Sequence, residues 1–335
     1  MTVEITIEGR KIGEGRPCYV IAEAGLNHDG KVEQAKDLVS AAKDTGADMV
    51  KFQMFQTPEL CSRSSKAYSL FTSLELKREE WMEVAAHARK VDITFSASVF
   101  GTYGLELLSE MKCGCVKIAS SDLTYGPLLD AAAKTGLPLV VSTGMSYLGE
   151  VEDALRVLHA NGDVNVALLH CVSNYPTSVE DANLKAMGTM REAFHVPVGF
   201  SDHTMDDLVP LAAVALGASL IEKHFTLDRG LPGPDHKLSM VPEEFRKMVQ
   251  DIRRVEKALG TGFKVPVEKE HPVRTSARRS IVSNHDLRAG SVITKEDVRL
   301  ARPGSGLEPA MLDVVLGREI VRDVPGDTPL TWDDI

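Results

Sequence analysis

The chain has 335 residues, with 38 lysines and arginines against 48 aspartates and glutamates, for a net charge of −10. That length suits two domains, or one large barrel with an added module. An acidic chain without a Lys/Arg-rich run argues against nucleic acid or an anionic membrane as a partner. With 43% hydrophobic and 26% charged residues, the composition is that of a folded protein rather than a disordered one. The longest nearly apolar run, Val209 to Ile221, is 13 residues broken by Pro210 and Gly217, too short to cross a bilayer. The first 15 residues are polar and hold no apolar signal core, so no secretion route is expected. Five cysteines, an odd number in a long chain, do not make a disulfide framework. A reducing cytoplasm is the expected compartment.

From residue 18 to about 260, short apolar runs alternate with segments of helical period. Eight strands are predicted: Cys18–Ala24, Asp48–Gln53, Asp92–Ser98, Cys115–Ser120, Pro138–Thr143, Val164–Cys171, Pro197–Ser201 and Ser219–His224. Most are continuous apolar runs, as expected of parallel strands buried on both faces. In the last helical segment Phe245, Met248, Val249, Ile252, Val255 and Leu259 form one stripe, opened by Pro242-Glu243-Glu244 and ended by Gly260. Eight such units predict a (β/α)8 TIM barrel over residues 1–260, with a doubly wound open sheet as the structural rival. Residues 261–277, carrying Pro266, Pro272 and mixed charges, read as a linker. Residues 278–335 read as a small, mostly-β module built on Ser280-Ile281-Val282, Ser291-Val292-Ile293 and Glu319-Ile320-Val321.

Catalytic groups of such barrels gather at the C-terminal ends of the strands. Here the ends carry, in order, Glu23 with Asn27-His28; Lys51 and Gln53; Ser96 and Ser98; Lys117 with Ser120-Ser121-Asp122; Ser142-Thr143-Gly144; His170 with Ser173, Asn174 and Tyr175; Ser201-Asp202-His203; and Glu222, Lys223 and His224. A single strand-end histidine is ordinarily a hydrogen-bonded core residue. His203 and His224, however, end adjacent strands in like contexts, and two converging imidazoles suit a divalent ion. His170 and His236 are left as structural or substrate-facing. Lys51 and Lys117 sit inside apolar strands, where an ammonium needs a partner. They are either ion-paired with Glu23 or Glu222, or serve as cations for an anionic ligand. Ser98, Ser120, Ser142 and Ser201 add oxyanion donors and favour a phosphate or carboxylate. Glu23 is the acid/base candidate or the counter-charge of Lys51. Asp235, in the turn-rich loop from Leu231 to His236, is a loop residue or a contact for a sugar hydroxyl. Cys18, Cys115 and Cys171 are expected in the core, and Cys113-Gly-Cys115 lacks zinc-site spacing. No dinucleotide fingerprint or Walker loop is present.

Taken together, Ile21-Ala22-Glu23-Ala24-Gly25-Leu26-Asn27-His28, Val50-Lys51-Phe52-Gln53, Val116-Lys117-Ile118-Ala119-Ser120, Ser142-Thr143-Gly144-Met145, Tyr175-Pro176-Thr177, Ser201-Asp202-His203-Thr204, Glu222-Lys223-His224-Phe225 and Pro232-Gly233-Pro234-Asp235-His236 resemble the sialic acid synthase family. The C-terminal piece, from Arg278-Arg279-Ser280 through Ala301-Arg302-Pro303-Gly304 to Leu316-Gly317-Arg318, resembles that family's antifreeze-like (SAF) domain. The resemblance implies a TIM barrel followed by a small mostly-β domain, in a domain-swapped homodimer. It implies condensation of phosphoenolpyruvate with the open-chain aldehyde of an N-acylated hexosamine, giving a nine-carbon 2-keto-3-deoxy acid and phosphate.

Matched position by position, the resemblance implies that His203 and His224 hold a divalent metal, Mn2+ in the first place with Mg2+ or Co2+ as alternatives. Lys51, Ser98, Lys117, Ser120, Ser142, Ser173 and Ser201 would contact phosphoenolpyruvate, and Glu23, Lys51 and Lys117 would carry the chemistry. Gln53, Asp122, Tyr175 and Asp235 would hold the sugar, together with Arg302 donated by the partner subunit. The chain departs from the family at Asp122, where Glu is usual, at Ser173, where Asn is frequent, and in a short stretch between Thr57 and Leu76. The departures at Asp122 and between Thr57 and Leu76 fall on the sugar side and point to an acceptor other than N-acetylmannosamine. The alternatives are a phosphoenolpyruvate-dependent synthase acting on a different aldose and, from another class, a non-catalytic carbohydrate-binding protein. Retention of both lysines, both histidines and Glu23 argues against the latter.

Overall fold

The computed structural model describes residues 3–160 and 162–335; residues 1, 2 and 161 lie outside it. Two compact units result, one ending at Gly260 and one running from Thr261 to Ile335.

The first unit opens with a hairpin, β1 (Glu4–Ile7) and β2 (Arg10–Gly13), paired antiparallel with Ile7 opposite Arg10. Its two-residue turn, Glu8-Gly9, has φ of +46° and +79°. Two positive φ values in a two-residue loop suit the right-handed twist of the flanking strands. The strands expected from the sequence do not include this hairpin. Its signal, the alternation of Ile5 and Ile7, is short and interrupted by charge.

Eight parallel strands then close a barrel: β3 (Tyr19–Gly25), β4 (Met49–Met54), β5 (Thr94–Val99), β6 (Val116–Ile118), β7 (Leu139–Ser142), β8 (Val166–Cys171), β9 (Val198–Asp202) and β10 (Leu220–His224). Each pairs with the next, and β10 returns to β3 with His224 opposite Glu23. The eight predicted strands are all present and the closed barrel replaces the open-sheet rival. Their boundaries differ by two residues at most; at β6 the backbone leaves the ladder after Ile118 and turns through a 3-10 segment at Ser120–Asp122.

A helix follows each strand, from Val32–Thr45 to Pro242–Leu259. In the last, Phe245, Met248, Val249 and Ile252 are buried on the barrel and Val255 packs at its edge, while Leu259 is exposed. Burying such a side chain contributes about 1.5–3 kcal/mol. The main core lies between sheet and helices; a second lies inside the barrel floor. There Ile5, Ile7 and Ile12 of the hairpin meet Tyr19, Ile21, Met49, Cys115, Val140, Ala167, Leu169 and Leu220. The hairpin is thus a plug in the N-terminal end of the barrel.

In the second unit, residues 261–276 are exposed throughout, yet they carry a short helix at His271–Ala277 where a plain linker was expected. β11 (Ser280–Ser283) pairs antiparallel with β12 (Val298–Ala301). Ser291–Ile293 and Glu319–Val321 do not form strands: they meet through one isolated bridge, Val292 to Glu319, between turns at Gly290 and Gly317. Ile281, Leu287, Ile293, Val298, Leu307, Val315, Ile320, Val324 and Leu330 fill a small separate core. No helix of the described residues is long and apolar enough to cross a membrane.

Candidate active site

Strand alternation decides which side chains enter the barrel mouth. A cavity of about 350 Å³ there is lined by Glu23, Lys51, Gln53, Ser98, Phe100, Lys117, Ala119, Ser120, Ser121, Ser142, Met145, Cys171, Ser173, Tyr175, Ser201, His203, Glu222 and His224. All eight strand ends contribute.

Two ammoniums and two carboxylates form its base. Lys51, Lys117, Glu23 and Glu222 are only 2%, 3%, 3% and 5% exposed. Lys51 Nζ lies 2.5 Å from Glu23 Oε2 and donates to Ser98 Oγ at 2.9 Å. Glu222 stands between the cations, 3.7 Å from Lys51 and 3.7 Å from Lys117, and accepts from Ser201 Oγ at 3.0 Å. Burial pushes the Glu23 carboxyl up to about 7 against the pull of Lys51. For Glu222 burial acts in the same direction, but Lys117 and Lys51 outweigh it and hold the carboxyl below its ordinary range. Two neighbouring carboxyls are thereby pushed apart, one ionised and one poised to carry a proton. Burial also depresses the ammonium of Lys117. Among the described residues its one acceptor at hydrogen-bond range is the Ile118 carbonyl at 3.2 Å, which leaves N–H donors for a ligand.

Above the charges lies a cluster of hydroxyls. Gly144 N donates to Ser120 Oγ at 3.0 Å, and Ser120 Oγ lies 3.1 Å from Cys171 Sγ. A Cβ at Gly144 would come within 2.4 Å of Ser173 Oγ and 2.9 Å of Ser120 Oγ, so glycine is what lets these hydroxyls converge. Such a fan of hydroxyls beside ammoniums is chemistry suited to phosphate or carboxylate.

His203 and His224 face each other with ring centroids 5.6 Å apart, and Tyr175 stacks 4.2 Å from His203. Burial lowers both imidazoles to about 4, so both are neutral at pH 7. His203 Nδ1 lies 2.6 Å from the Val172 carbonyl. That contact fixes Nδ1 as the donor and leaves Nε2 with a free lone pair. His224 Nδ1 is buried without a hydrogen-bond partner among the described residues. Two neutral imidazoles with unspent lone pairs fit a divalent ion with other positions open. Among the described residues no group of three His, Cys, Asp or Glu side chains is placed to hold a metal. An ion here would complete its shell from water or substrate.

The remaining expected sugar contacts are dispersed. Gln53 lines the cavity, while Asp235 lies at its edge. A Cβ at Gly25 would sit 3.3 Å from Asp235 Oδ2, 3.3 Å from Glu23 Oε1 and 3.6 Å from Gln53 Nε2, so these three polar groups surround one glycine. Asp122 lies outside the lining, half-buried in its 3-10 turn and accepting from Ser121 Oγ at 2.6 Å. Arg302 is exposed in the second unit, directly after β12.

Several residues differ from expectation. Cys171 belongs to the cavity wall, not to the core alone, because strand alternation puts it on the same inward face as Ala167 and Leu169. Asn27 and His28 turn away from the cavity: Asn27 Nδ2 binds Phe225 O and Ser239 Oγ at 2.8 and 2.9 Å, and His28 packs on Trp81 and Phe52. His236 takes the structural one of its two expected readings, held between Thr226 and Asp29, and His170 Nε2 lies 3.0 Å from the Ala182 carbonyl. Glu222 is absent from the expected site set. Its position two residues before His224 puts it on the same strand face, and that period would have found it.

A closed parallel barrel with a charged, hydroxyl-lined mouth and a neutral histidine pair has the architecture of an enzyme. Residues 38–264 match the NeuB family and residues 278–335 the SAF domain. The chain belongs to the NeuB family. It is 41% identical to the N,N'-diacetyllegionaminic acid synthase of Legionella pneumophila, covering 96% of each chain. It is 38% identical to the enzyme of the same name from Campylobacter jejuni, over 93% of this chain and 98% of that one. Among solved structures it resembles the N-acetylneuraminic acid (sialic acid) synthetase of Leptospira borgpetersenii in complex with citrate. That match has a TM-score of 0.78 and 37% identity, over 82% of this chain and 95% of the other.

Proposed function

We propose that the protein condenses phosphoenolpyruvate with the open-chain aldehyde of an N-acylated hexosamine, releasing phosphate and a nine-carbon 2-keto-3-deoxy acid. The observation that carries this reading is the convergence of two buried ammoniums, a hydroxyl fan and two neutral imidazoles on one cavity. Lys51, Lys117, Ser98, Ser120, Ser142, Ser173 and Ser201 hold the phosphate and carboxylate by charge-assisted hydrogen bonds. The enol carbon bonds to the aldehyde carbon, water adds at the carbon bearing the phosphate, and the C–O bond to phosphate breaks. Glu23, poised near neutrality, takes a proton from that water. His203 and His224 would hold the divalent ion, Mn2+ before Mg2+ or Co2+. When bound, the ion supplies a Lewis acid for the aldehyde oxygen.

The acceptor carries two N-acyl groups rather than the one of N-acetylmannosamine. This reading is supported by the legionaminic acid synthases among the relatives, whose named product is diacetylated, and by the shorter carboxylate of Asp122. Gln53, Tyr175 and Asp235 line the acceptor's path, and Arg302 completes the site from the second copy in a swapped homodimer in the cytoplasm. The test is phosphate release from phosphoenolpyruvate and Mn2+ with a panel of aldoses. A diacetamido hexose is expected to give the highest kcat/KM. No phosphate release with any aldose overturns the reaction, and a clear preference for N-acetylmannosamine overturns the acceptor.

A further inference from the structure

Lys223 stands between Glu222 and His224 on β10, and alternation turns it away from the cavity that those two residues line. Its side chain is 1% exposed. An ammonium so buried is tolerated only when its donors are satisfied. Nζ pairs with the Asp202 carboxylate and donates to the carbonyls of Thr204 at 2.5 Å and Asp206 at 2.9 Å. These three acceptors match the three N–H donors of a lysine. Asp202 in turn accepts from Thr204 N at 3.1 Å and from Thr204 Oγ1 at 2.9 Å.

The residues gripped in this way, 202, 204 and 206, bracket His203. The residue after Lys223 in the chain is His224. One ammonium on the strand that carries the second histidine therefore holds the carboxylate of the residue before the first and two backbone carbonyls after it. The loop that carries His203 is thus tied to the strand that carries His224 through a single side chain.

We infer that Lys223 is a positioning residue that sets the spacing of His203 and His224 and so governs how tightly the pair takes a divalent cation. The inference rests on the reading of that pair as a cation site. Lys223→Met keeps the apolar stem and removes every donor. Asp202→Asn/Lys223→Met also removes the carboxylate left unpaired. Lys223→Gln, with two donors, takes their place in the same measurements if neither folds. The metal-free full-length protein is titrated with Co2+ by visible absorption, and its imidazole N–H signals are followed by NMR.

The wild type is expected to take up one Co2+ and to show a slowly exchanging His203 Nδ1–H. The folded variants are expected to bind Co2+ about 10–100-fold more weakly and to lose that signal. A folded variant with unchanged Co2+ affinity and an intact His203 signal overturns the inference. If the wild type takes up no Co2+, the cation reading fails and the NMR signal decides alone: its loss in the variants supports the positioning role, and its retention overturns it.

Discussion

The floor and the mouth of the barrel are built from the same strands and differ by one step along each. Ile21 gives way to Glu23, Met49 to Lys51, Cys115 to Lys117, Val140 to Ser142 and Leu220 to Glu222. Each step is two residues, about 7 Å of strand. Below it the interior is apolar and closed by the hairpin; above it every inward position in this set is charged or hydroxylated. Stability and chemistry are thus stacked in one tube, and mutations on either side of the boundary should separate cleanly.

The sharpest separation should come from Lys117→Met. It removes one of the two cations at the mouth and is expected to lower kcat/KM about 10²–10³-fold, measured by phosphate release, while circular dichroism shows a folded protein. An active Lys117→Met enzyme would break the division between floor and mouth. Ile12→Ala should do the reverse. Truncating a floor side chain is expected to cost about 2–5 kcal/mol in denaturant unfolding, with kcat of the folded protein kept within a few-fold.

A third prediction concerns pH. The Glu23 carboxyl is raised from its ordinary value of 4.5 to about 7 by burial. The folded state therefore holds this proton more tightly than the unfolded chain does. Its contribution is complete below about pH 4.5 and is lost as pH rises through about 7. Chemical denaturation between pH 5 and 8 should show wild-type stability falling relative to Glu23→Gln. Equal pH slopes for the two proteins would mean that Glu23 is ionised throughout. The smallest effect should be Asp122→Glu, which extends a carboxylate at the edge of the mouth by one methylene. One regained hydrogen bond is worth about 0.5–1.5 kcal/mol. The ratio of kcat/KM for N-acetylmannosamine to that for a diacetamido hexose should therefore rise about 2–10-fold.

The boundary between floor and mouth also explains what could be read from the amino acids. Apolar runs such as Leu139-Val140-Val141 are visible because both strand faces are buried, and a lysine or glutamate within such a run stands out against that background. Lys51, Lys117 and Glu23 were legible for this reason, and His203 and His224 because they end adjacent strands in like contexts. The hairpin was not, because Arg10 and Lys11 dilute a strand of four residues. Asn27 and His28 misled because a strand-end position does not fix direction once the chain leaves the ladder. Cys171 was assigned to the core by residue type although the strand period placed it at the mouth, and Glu222 was read only as a counter-charge of the lysines, a place it does take. In the second unit, strand runs gave way to single bridges because closely spaced glycine turns leave too few residues to extend a ladder.

The hairpin plug has a consequence for the order in which the chain matures. Residues 4–13 are synthesised before every barrel strand, yet Ile5, Ile7 and Ile12 share their cluster with Leu220 of the last of those strands. Until that strand is made, the earliest segment has no complete surface to settle on, and its isoleucines remain available to chaperones or to other nascent chains. The base of the barrel is complete only when its last strand joins the hairpin in one cluster, which spans chain positions more than 200 residues apart, and such long-range closure is slow to form.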